Sequence, residues 1–164
     1  MSIAKVQRFN ADEVWQAIKH PAKVAIAIMA TPDDKYNPIV LEWFTRTSSE
    51  PFMFAISIGH TRYSYECMQE TSAFNLVFPT PAQKELVLLA GTQSGRETDK
   101  LQSSGVAWFK GRYTGLPVIS DAAATFECEL VTQIRSGDHT IYVGQVKYAW
   151  LNDGAKVILS EQLK

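Results

Sequence analysis

The chain has 164 residues, 46% of them hydrophobic and 20% charged, with a formal net charge of −1. This length predicts a single domain over residues 1–164 that buries its own core. The near-zero charge gives no electrostatic argument for binding nucleic acid or an anionic membrane. Cys67 and Cys128 are too few for a disulfide scaffold and predict small buried side chains in a cytoplasmic protein. The most apolar window, residues 24–30, is too short to span a bilayer.

Three short helices are predicted. The first begins at Asn10, which is placed to cap it, and ends before Pro21. Glu13 completes a capping box with Asn10, and Phe9 is placed to pack against Val14. The other two helices are predicted over residues 61–70 and 80–91.

Strand-like patterns fill most of the remaining chain. They are predicted over residues 22–31, 39–45, 52–58, 73–78, 107–114, 123–134, 139–150 and 156–159. In the long run 123–134, alternation places two sets on opposite faces: Phe126, Cys128 and Leu130 on one, and Thr125, Glu127 and Glu129 on the other. The last two turns join strands directly, which favours antiparallel hairpins. Seven or eight strands with two or three short helices predict a mainly β protein, a β-barrel with helical additions.

Several common sites are excluded by pattern. The three histidines, His20, His60 and His139, have no ligand-like spacing with each other or with the cysteines, so no metal site is predicted. The chain has no glycine-rich phosphate loop and no strand–GxGxxG–helix unit. It also has no GxSxG elbow of the hydrolase type. A nucleotide would therefore need a different kind of binding site.

Candidates for such a nucleotide-binding site are Thr61, Arg62 and Ser64. They precede or open a predicted helix, and a guanidinium with two hydroxyls suits a phosphate monoester. The alternative is a solvated helix start with a surface arginine. The polar loop 91–100 either reaches over a ligand or is an ordinary connection.

Four further residues admit both a structural and a functional interpretation. His139 follows a turn at the mouth of a barrel strand, where it could donate to a flavin or a nicotinamide, or be a plain turn residue. Trp43 and Phe44 are typical of a core. Glu42 lies between apolar neighbours on an alternating strand, so it faces either solvent or a ligand.

Taken together, the motifs resemble the flavin reductase-like family of FMN-binding split barrels, which includes the flavoredoxins. The resemblance covers roughly residues 24–146. The segments that carry it are Asn37 to Trp43, Ser49-Glu50-Pro51, Ser57-Ile58-Gly59 with Arg62, Phe74-Asn75-Leu76-Val77, Ser94-Gly95 with Asp99-Lys100, Phe126-Glu127-Cys128, and Gly137-Asp138-His139 with Gly144-Gln145-Val146. The sequence departs from the family at Glu42, where small residues are common, and at Phe52, where a second proline is common.

The resemblance implies a Greek-key-like split barrel and a homodimer with FMN, or alternatively FAD, near the subunit interface. It implies an oxidoreductase in which NAD(P)H is a transient donor and a free flavin, an iron chelate or a partner protein is the acceptor. His139 would lie near the flavin or the nicotinamide. Of the implied cofactor-binding residues, 41–45 would line the isoalloxazine, and Thr61, Arg62, Ser64 and Lys100 would bind the phosphate. The full implied set is Asn37, Leu41, Glu42, Trp43, Phe44, Thr45, Ser57, Gly59, Thr61, Arg62, Ser64, Ser94 and Lys100.

Two alternatives stay open at this point. One is an FMN-binding electron carrier without efficient NAD(P)H turnover. The other is a split barrel without flavin that serves as a binding module.

Overall fold

The computed structural model describes residues 10–164, which form a curled antiparallel sheet with short helices packed outside it. The helices are α1 (Ala11–Ile18), α2 (Tyr63–Met68), α3 (Lys84–Thr92) and α4 (Lys100–Ser104). The strands are β1 (Ala25–Ala30), β2 (Tyr36–Leu41), β3 (Phe44–Ser49), β4 (Phe52–Gly59), β5 (Ala73–Phe78), β6 (Trp108–Lys110), β7 (Pro117–Ile119), β8 (Ala124–Ser136) and β9 (His139–Leu151). None of the helices in these residues is long and apolar enough to cross a membrane.

The main sheet closes on itself. Its seven strands have the order β2-β1-β5-β8-β9-β4-β3, so β2 and β3 are its two edges. Yet β2 ends at Leu41 and β3 begins at Phe44, so only two residues join the edges. The three residue steps from Leu41 to Phe44 span only about 10 Å. The sheet must therefore curl until its edges meet, which makes it a barrel with a split between β2 and β3.

Strand β1 lacks the alternation of a half-buried strand because both of its faces are covered. Ala27 and Met29 point into the barrel interior, with Phe54, Phe74 and Tyr142 from other strands. Its opposite face packs against α3 and α4 in a second apolar layer, formed by Ile26, Ile28, Leu86, Val87 and Leu101. The helices are thereby fixed beside β2, next to the split in the barrel.

The long hairpin of β8 and β9 confirms part of the predicted alternation. Phe126, Cys128 and Leu130 share the barrel interior, and Cys67 and Cys128 are free and buried as predicted. Gly144 of β9 is needed where it crosses this interior, because a Cβ there would lie 2.7 Å from the Phe74 ring and 2.9 Å from the Cys128 Cβ.

Part of the opposite face of β8, at Glu127, is covered by a loop, whereas Glu129 on the same face is exposed. Glu127 is fully buried, and its carboxylate accepts hydrogen bonds from the backbone N–H groups of Arg112 (3.1 Å), Tyr113 (2.8 Å) and Thr114 (2.9 Å). Trp150 Nε1 donates a further bond of 2.8 Å. Burial acts to raise the pKa of Glu127, but these hydrogen bonds outweigh it and lower the pKa. We call residues 111–116 the clamped loop.

Some predicted elements are wrong in their bounds. The strand expected at 39–45 is two strands, because the chain turns at Glu42 and Trp43 between the sheet edges. The strand expected at 107–114 is only β6, since the clamped loop follows it. Of the strand expected at 156–159, only Leu159 pairs, with Lys23. Helix α4 was not predicted. The helix expected at 61–70 is the shorter α2.

The first helix begins as expected. The side chain of Asn10 accepts a 2.8 Å hydrogen bond from the backbone N–H of Glu13, and the helix ends at Ile18, before Pro21. Phe9, the predicted partner of Val14, lies outside the described residues.

Candidate functional site

Two adjoining clefts lie where the barrel splits. The polar cleft, about 320 Å³, is bounded by β2, α2 and the chain that follows α3. The aromatic cleft, about 230 Å³, is bounded by the end of β2, the end of β4 and the start of β9. Ile39, Val40 and Arg62 line both. The two clefts therefore form one continuous surface that an elongated ligand could occupy.

The clefts bring together most of the residues that the sequence singled out. The polar cleft is lined by Asn37, Thr61, Arg62, Ser64, Ser94 and Lys100. The aromatic cleft is lined by Leu41, Glu42, Trp43, Ser57, Gly59 and His139, again with Arg62. These residues come from distant parts of the chain, and the curl of the sheet makes them neighbours.

Phe44 and Thr45 are not brought to either cleft. Because the chain turns at Glu42 and Trp43, β3 begins a new alternation at Phe44. The Phe44 ring packs edge-on against Phe78 at 5.4 Å, next to the barrel interior, and Thr45 is exposed. The expected row of five contiguous cleft residues is therefore three.

The polar cleft holds two cations. Arg62 precedes α2, and Lys100 opens α4 with only 3% of its surface exposed. Its ammonium donates a 2.8 Å hydrogen bond to the carbonyl of Pro38. Burial, with a smaller contribution from Arg62, lowers the pKa of Lys100 to about 8. Within residues 10–164, neither cation forms an ion pair with a carboxylate.

Asn37 lies at the base of the polar cleft with an unused acceptor. Its amide nitrogen donates a 2.7 Å hydrogen bond to the hydroxyl of Ser64, and 1% of the residue is exposed. Its Oδ1 is buried and has no hydrogen-bond donor among the described residues. A buried acceptor left unpaired is unfavourable by about 1–3 kcal/mol. Gly95 packs directly over this acceptor, so a ligand could donate to it only if Gly95 moved aside.

Cations and an orphaned acceptor together define the ligand chemistry of the polar cleft. Arg62 and Lys100 favour an anion, and the hydroxyls of Thr61 and Ser94 can donate to its oxygens. Asn37 would accept from a donor close to that anion only if Gly95 moved aside. A phosphate ester of a polyhydroxylated chain has both features, so the residues present fit the phosphate and ribityl portion of a flavin nucleotide.

The aromatic cleft is lined by Trp43 and a histidine. The His139 ring lies 4.7 Å from the Trp43 ring, between centroids, and its Nδ1 lies 2.7 Å from Oδ1 of Asp138. This hydrogen bond lowers the pKa of Asp138, so the carboxylate is ionised at neutral pH and only accepts. Nδ1 therefore carries the proton. Nε2 is directed towards Gly59, where a Cβ would lie 3.4 Å away.

Glu42 lies beside the ligand surface rather than facing away from it. It lines the aromatic cleft, and its carboxylate lies 3.9 Å from the ammonium of Lys19, just beyond α1. The opposite charge of Lys19 offsets part of the negative charge that Glu42 brings to the cleft.

Sequence reasoning missed three residues that shape the polar cleft. Tyr63 and Gly95 line it, and Arg96 lies just outside, over the Tyr63 ring. Ser94-Gly95 was noted as a motif, but nothing in the pattern indicated that Gly95 packs against Asn37. That contact joins residues 58 positions apart, and only the fold brings them together.

Comparison with known proteins identifies the family of the chain. A family model described as "Flavin reductase like domain" matches residues 18–160. The chain belongs to this family. This flavin reductase-like protein is 32% identical over 131 residues to a probable flavin reductase from Rhizobium meliloti, covering 79% of this chain and 40% of that protein.

Two further relatives support the same assignment. An NADH-dependent flavin reductase from a Rhodococcus species is 24% identical over 126 residues, covering 77% of this chain and 67% of that protein. The crystal structure of an FMN-binding protein from Thermus thermophilus, with bound 1-cyclohex-2-enone, has a TM-score of 0.75 and 29% identity. It covers 94% of this chain and 82% of that chain. The predicted mainly β, split-barrel fold is confirmed.

Proposed function

We propose that this protein binds FMN, with FAD as the alternative flavin, and acts as an NAD(P)H-dependent flavin reductase-like oxidoreductase. The observation that carries the proposal is the shared wall between the two clefts. One cleft offers two cations and an orphaned acceptor, and the other offers an exposed tryptophan beside a histidine. A flavin nucleotide has a matching anionic end and a matching flat end. The names of the Rhizobium, Rhodococcus and Thermus relatives support the same ligand class.

In this proposal the polar cleft binds the phosphate. Arg62 and Lys100 supply positive charge, and Thr61 and Ser94 supply hydroxyl donors. Ser64 accepts from Asn37 and keeps its own proton for the ligand. Asn37 orients the Ser64 hydroxyl towards the ligand through this hydrogen bond.

The aromatic cleft holds the ring system in the same proposal. Leu41, Glu42, Trp43, Ser57 and Gly59 form its walls. Gly59 leaves room beside the ring because it has no side chain. When bound, the flavin supplies the two-electron chemistry between NAD(P)H and an acceptor, which we propose is a free flavin or another acceptor.

His139 is the proposed catalytic residue. Asp138 fixes its tautomer, so that Nδ1 is protonated and Nε2 faces the cleft. In this tautomer Nε2 accepts a hydrogen bond or takes up a proton beside the site, and it donates to the nicotinamide only as the imidazolium. Trp43 packs on the other side of the imidazole and limits its rotation.

We also propose a cytoplasmic homodimer with the flavin near the interface. Trp43, beside the aromatic cleft, is 51% exposed, and Val131 and Ile134 are exposed on the β8–β9 hairpin. Large exposed apolar side chains commonly mark interaction surfaces.

Rapid mixing of NADH or NADPH with the FMN-loaded protein under anaerobic conditions tests the enzyme assignment. We expect the visible flavin band to bleach faster than it does with free FMN, and we expect His139→Gln to slow the bleaching at least about tenfold. The control is dithionite, which should bleach both proteins equally. Bound FMN that dithionite reduces but neither nicotinamide reduces would contradict the enzyme and leave an electron carrier.

A further inference from the structure

The connection between α3 and α4 closes one side of the polar cleft. We call residues 93–99 the capping loop. Ser94 and Gly95 line the cleft, and Asp99 caps α4 by accepting a 3.1 Å hydrogen bond from the backbone N–H of Gln102. Gly95 packs so tightly against Asn37 that a Cβ built on it would lie 2.1 Å from Oδ1. The loop therefore covers the orphaned acceptor directly.

Arg96 holds the capping loop from outside the cleft. Its guanidinium forms an ion pair with Glu66 of α2. It also lies over the ring of Tyr63, 4.9 Å from the centroid. Both partners belong to α2, which packs on the barrel through the buried Cys67 and Met68. Arg96 thus joins a surface loop to a fixed element without touching the ligand surface itself.

Two opposing contributions act on the closed loop. The ion pair and the cation–π contact favour closure, but they are partly exposed and therefore modest. The unpaired Asn37 Oδ1 beneath Gly95 disfavours closure while no donor is present. A donor can reach Oδ1 only while Gly95 is displaced, so the closed loop carries this cost whenever it forms. The Arg96 contacts must outweigh that cost, and weakening them should therefore favour the open loop.

We propose that Arg96 and Glu66 are positioning residues that hold the capping loop closed over the polar cleft and thereby set the dissociation rate of the bound phosphate ligand. The ligand taken here is the flavin nucleotide of the proposed function, on which this inference rests. Gly95 is the position at which closure requires the absence of a side chain. Its φ is not in the left-handed region, so an alanine there affects closure rather than backbone strain.

The test compares FMN dissociation from the wild type, Arg96→Gln and Glu66→Gln, measured by the return of free-flavin fluorescence after dilution. We expect both variants to release FMN about three- to tenfold faster, with little change in the association rate. Gly95→Ala should also release FMN faster. The paired variants Arg96→Glu and Glu66→Arg in one chain should restore slow release.

The sign of the Glu66→Gln effect separates the proposal from simple electrostatics. Removing a negative charge near the phosphate would slow release if only long-range attraction mattered. The capping-loop mechanism predicts faster release instead. The matched control is Glu97→Gln in the same loop, whose side chain makes no ion pair among residues 10–164, and which should release FMN like the wild type.

Amide hydrogen exchange of the capping loop in the ligand-free protein provides a readout independent of flavin. Arg96→Gln and Glu66→Gln should both raise exchange over residues 93–99, and unchanged exchange in both would overturn the proposal. Slower FMN release from Glu66→Gln would also overturn it. If the wild type takes up no flavin, the proposed function fails, and the exchange result alone still decides whether Arg96 and Glu66 hold the loop.

Discussion

At the scale of single residues, the buried ammonium of Lys100 lowers the free energy of unfolding of the protein. Its ammonium is buried, is bonded to one carbonyl and has no carboxylate partner in residues 10–164. Burial lowers its pKa from 10.5 to about 8. Below pH 8 the charged form is retained in the folded protein at an energetic cost. A bound phosphate would offset that cost.

Lys100→Met should therefore raise the stability of the protein and lower its affinity for FMN. Between pH 8 and 10.5 the unfolded wild type binds more protons than the folded one, so its free energy of unfolding rises with pH. The variant should lack this rise and should be about 1–3 kcal/mol more stable than the wild type at pH 7. Its affinity for FMN should fall about tenfold or more. Chemical denaturation across pH and a fluorescence titration measure the two effects.

The control for this experiment is Lys110→Met, which removes an exposed lysine of β6. It should leave both quantities within experimental error. A Lys100→Met protein that is less stable at pH 7 but binds FMN normally would show that Lys100 is structural and not part of the binding site.

The sequence predicted the place of some site residues but not of others. Arg62, Ser64 and His139 stand out because their chemistry is unusual beside a strand or a turn, and the structure places all three at the clefts. Asn37 carried no such signal of its own, because an unpaired acceptor exists only once Gly95 covers it. Arg96 carried no signal either, because its contacts with Glu66 and Tyr63 depend on the fold.

At the scale of elements, Glu127 connects the β8–β9 hairpin to the clamped loop. Four N–H donors converge on one buried carboxylate, and their combined effect keeps its pKa below the usual 4.5. The carboxylate thus replaces the strand pairing that residues 111–116 lack. The loop in turn covers β8 at Glu127, on the face opposite Phe126 and Cys128.

Glu127→Gln should destabilise the protein by about 2–3 kcal/mol, because the amide loses charge-assisted bonds and adds a donor facing other donors. A group with a depressed folded pKa contributes stability above its unfolded pKa and loses it as the pH falls. The wild type should therefore lose stability on acidification below about pH 4.5, and the variant should lack that part of the loss.

The matched control is Glu129→Gln, two residues along β8. Its carboxylate is exposed and pairs with Lys147 at 3.5 Å, so its replacement should change the free energy of unfolding by less than about 1 kcal/mol. Denaturant unfolding at pH 7 and at pH 4 measures both variants. Equal effects of the two substitutions would contradict the special role of Glu127.

Element prediction failed where long-range pairing overrides local pattern. Residues 39–45 read as one strand, but the two sheet edges meet there, and the Trp43 carbonyl accepts a 3.0 Å hydrogen bond from Ser57 of β4. Residues 107–114 are apolar enough for a strand, but Glu127 captures the backbone donors of the second half. Helix α4 has only five residues, too few to give a periodic signal.

At the scale of the whole molecule, closure of the sheet creates the site. The barrel joins β2 to β3 at the split, and α2, the capping loop and the start of β9 surround that split. Strand periodicity and hairpin turns were sufficient to predict a mainly β barrel with short helices. They were not sufficient to predict which residues face the clefts, because that depends on how the edges meet.

The central claim is that the two clefts bind one flavin nucleotide, and a visible absorption spectrum tests it most directly. The purified protein is mixed with FMN and desalted, alongside Arg62→Ala and the control Arg112→Ala, whose side chain lies over Tyr148 and lines neither cleft. The account predicts a retained flavin spectrum in the wild type and in Arg112→Ala, and its loss in Arg62→Ala. A colourless wild type, or full retention by Arg62→Ala, would contradict it.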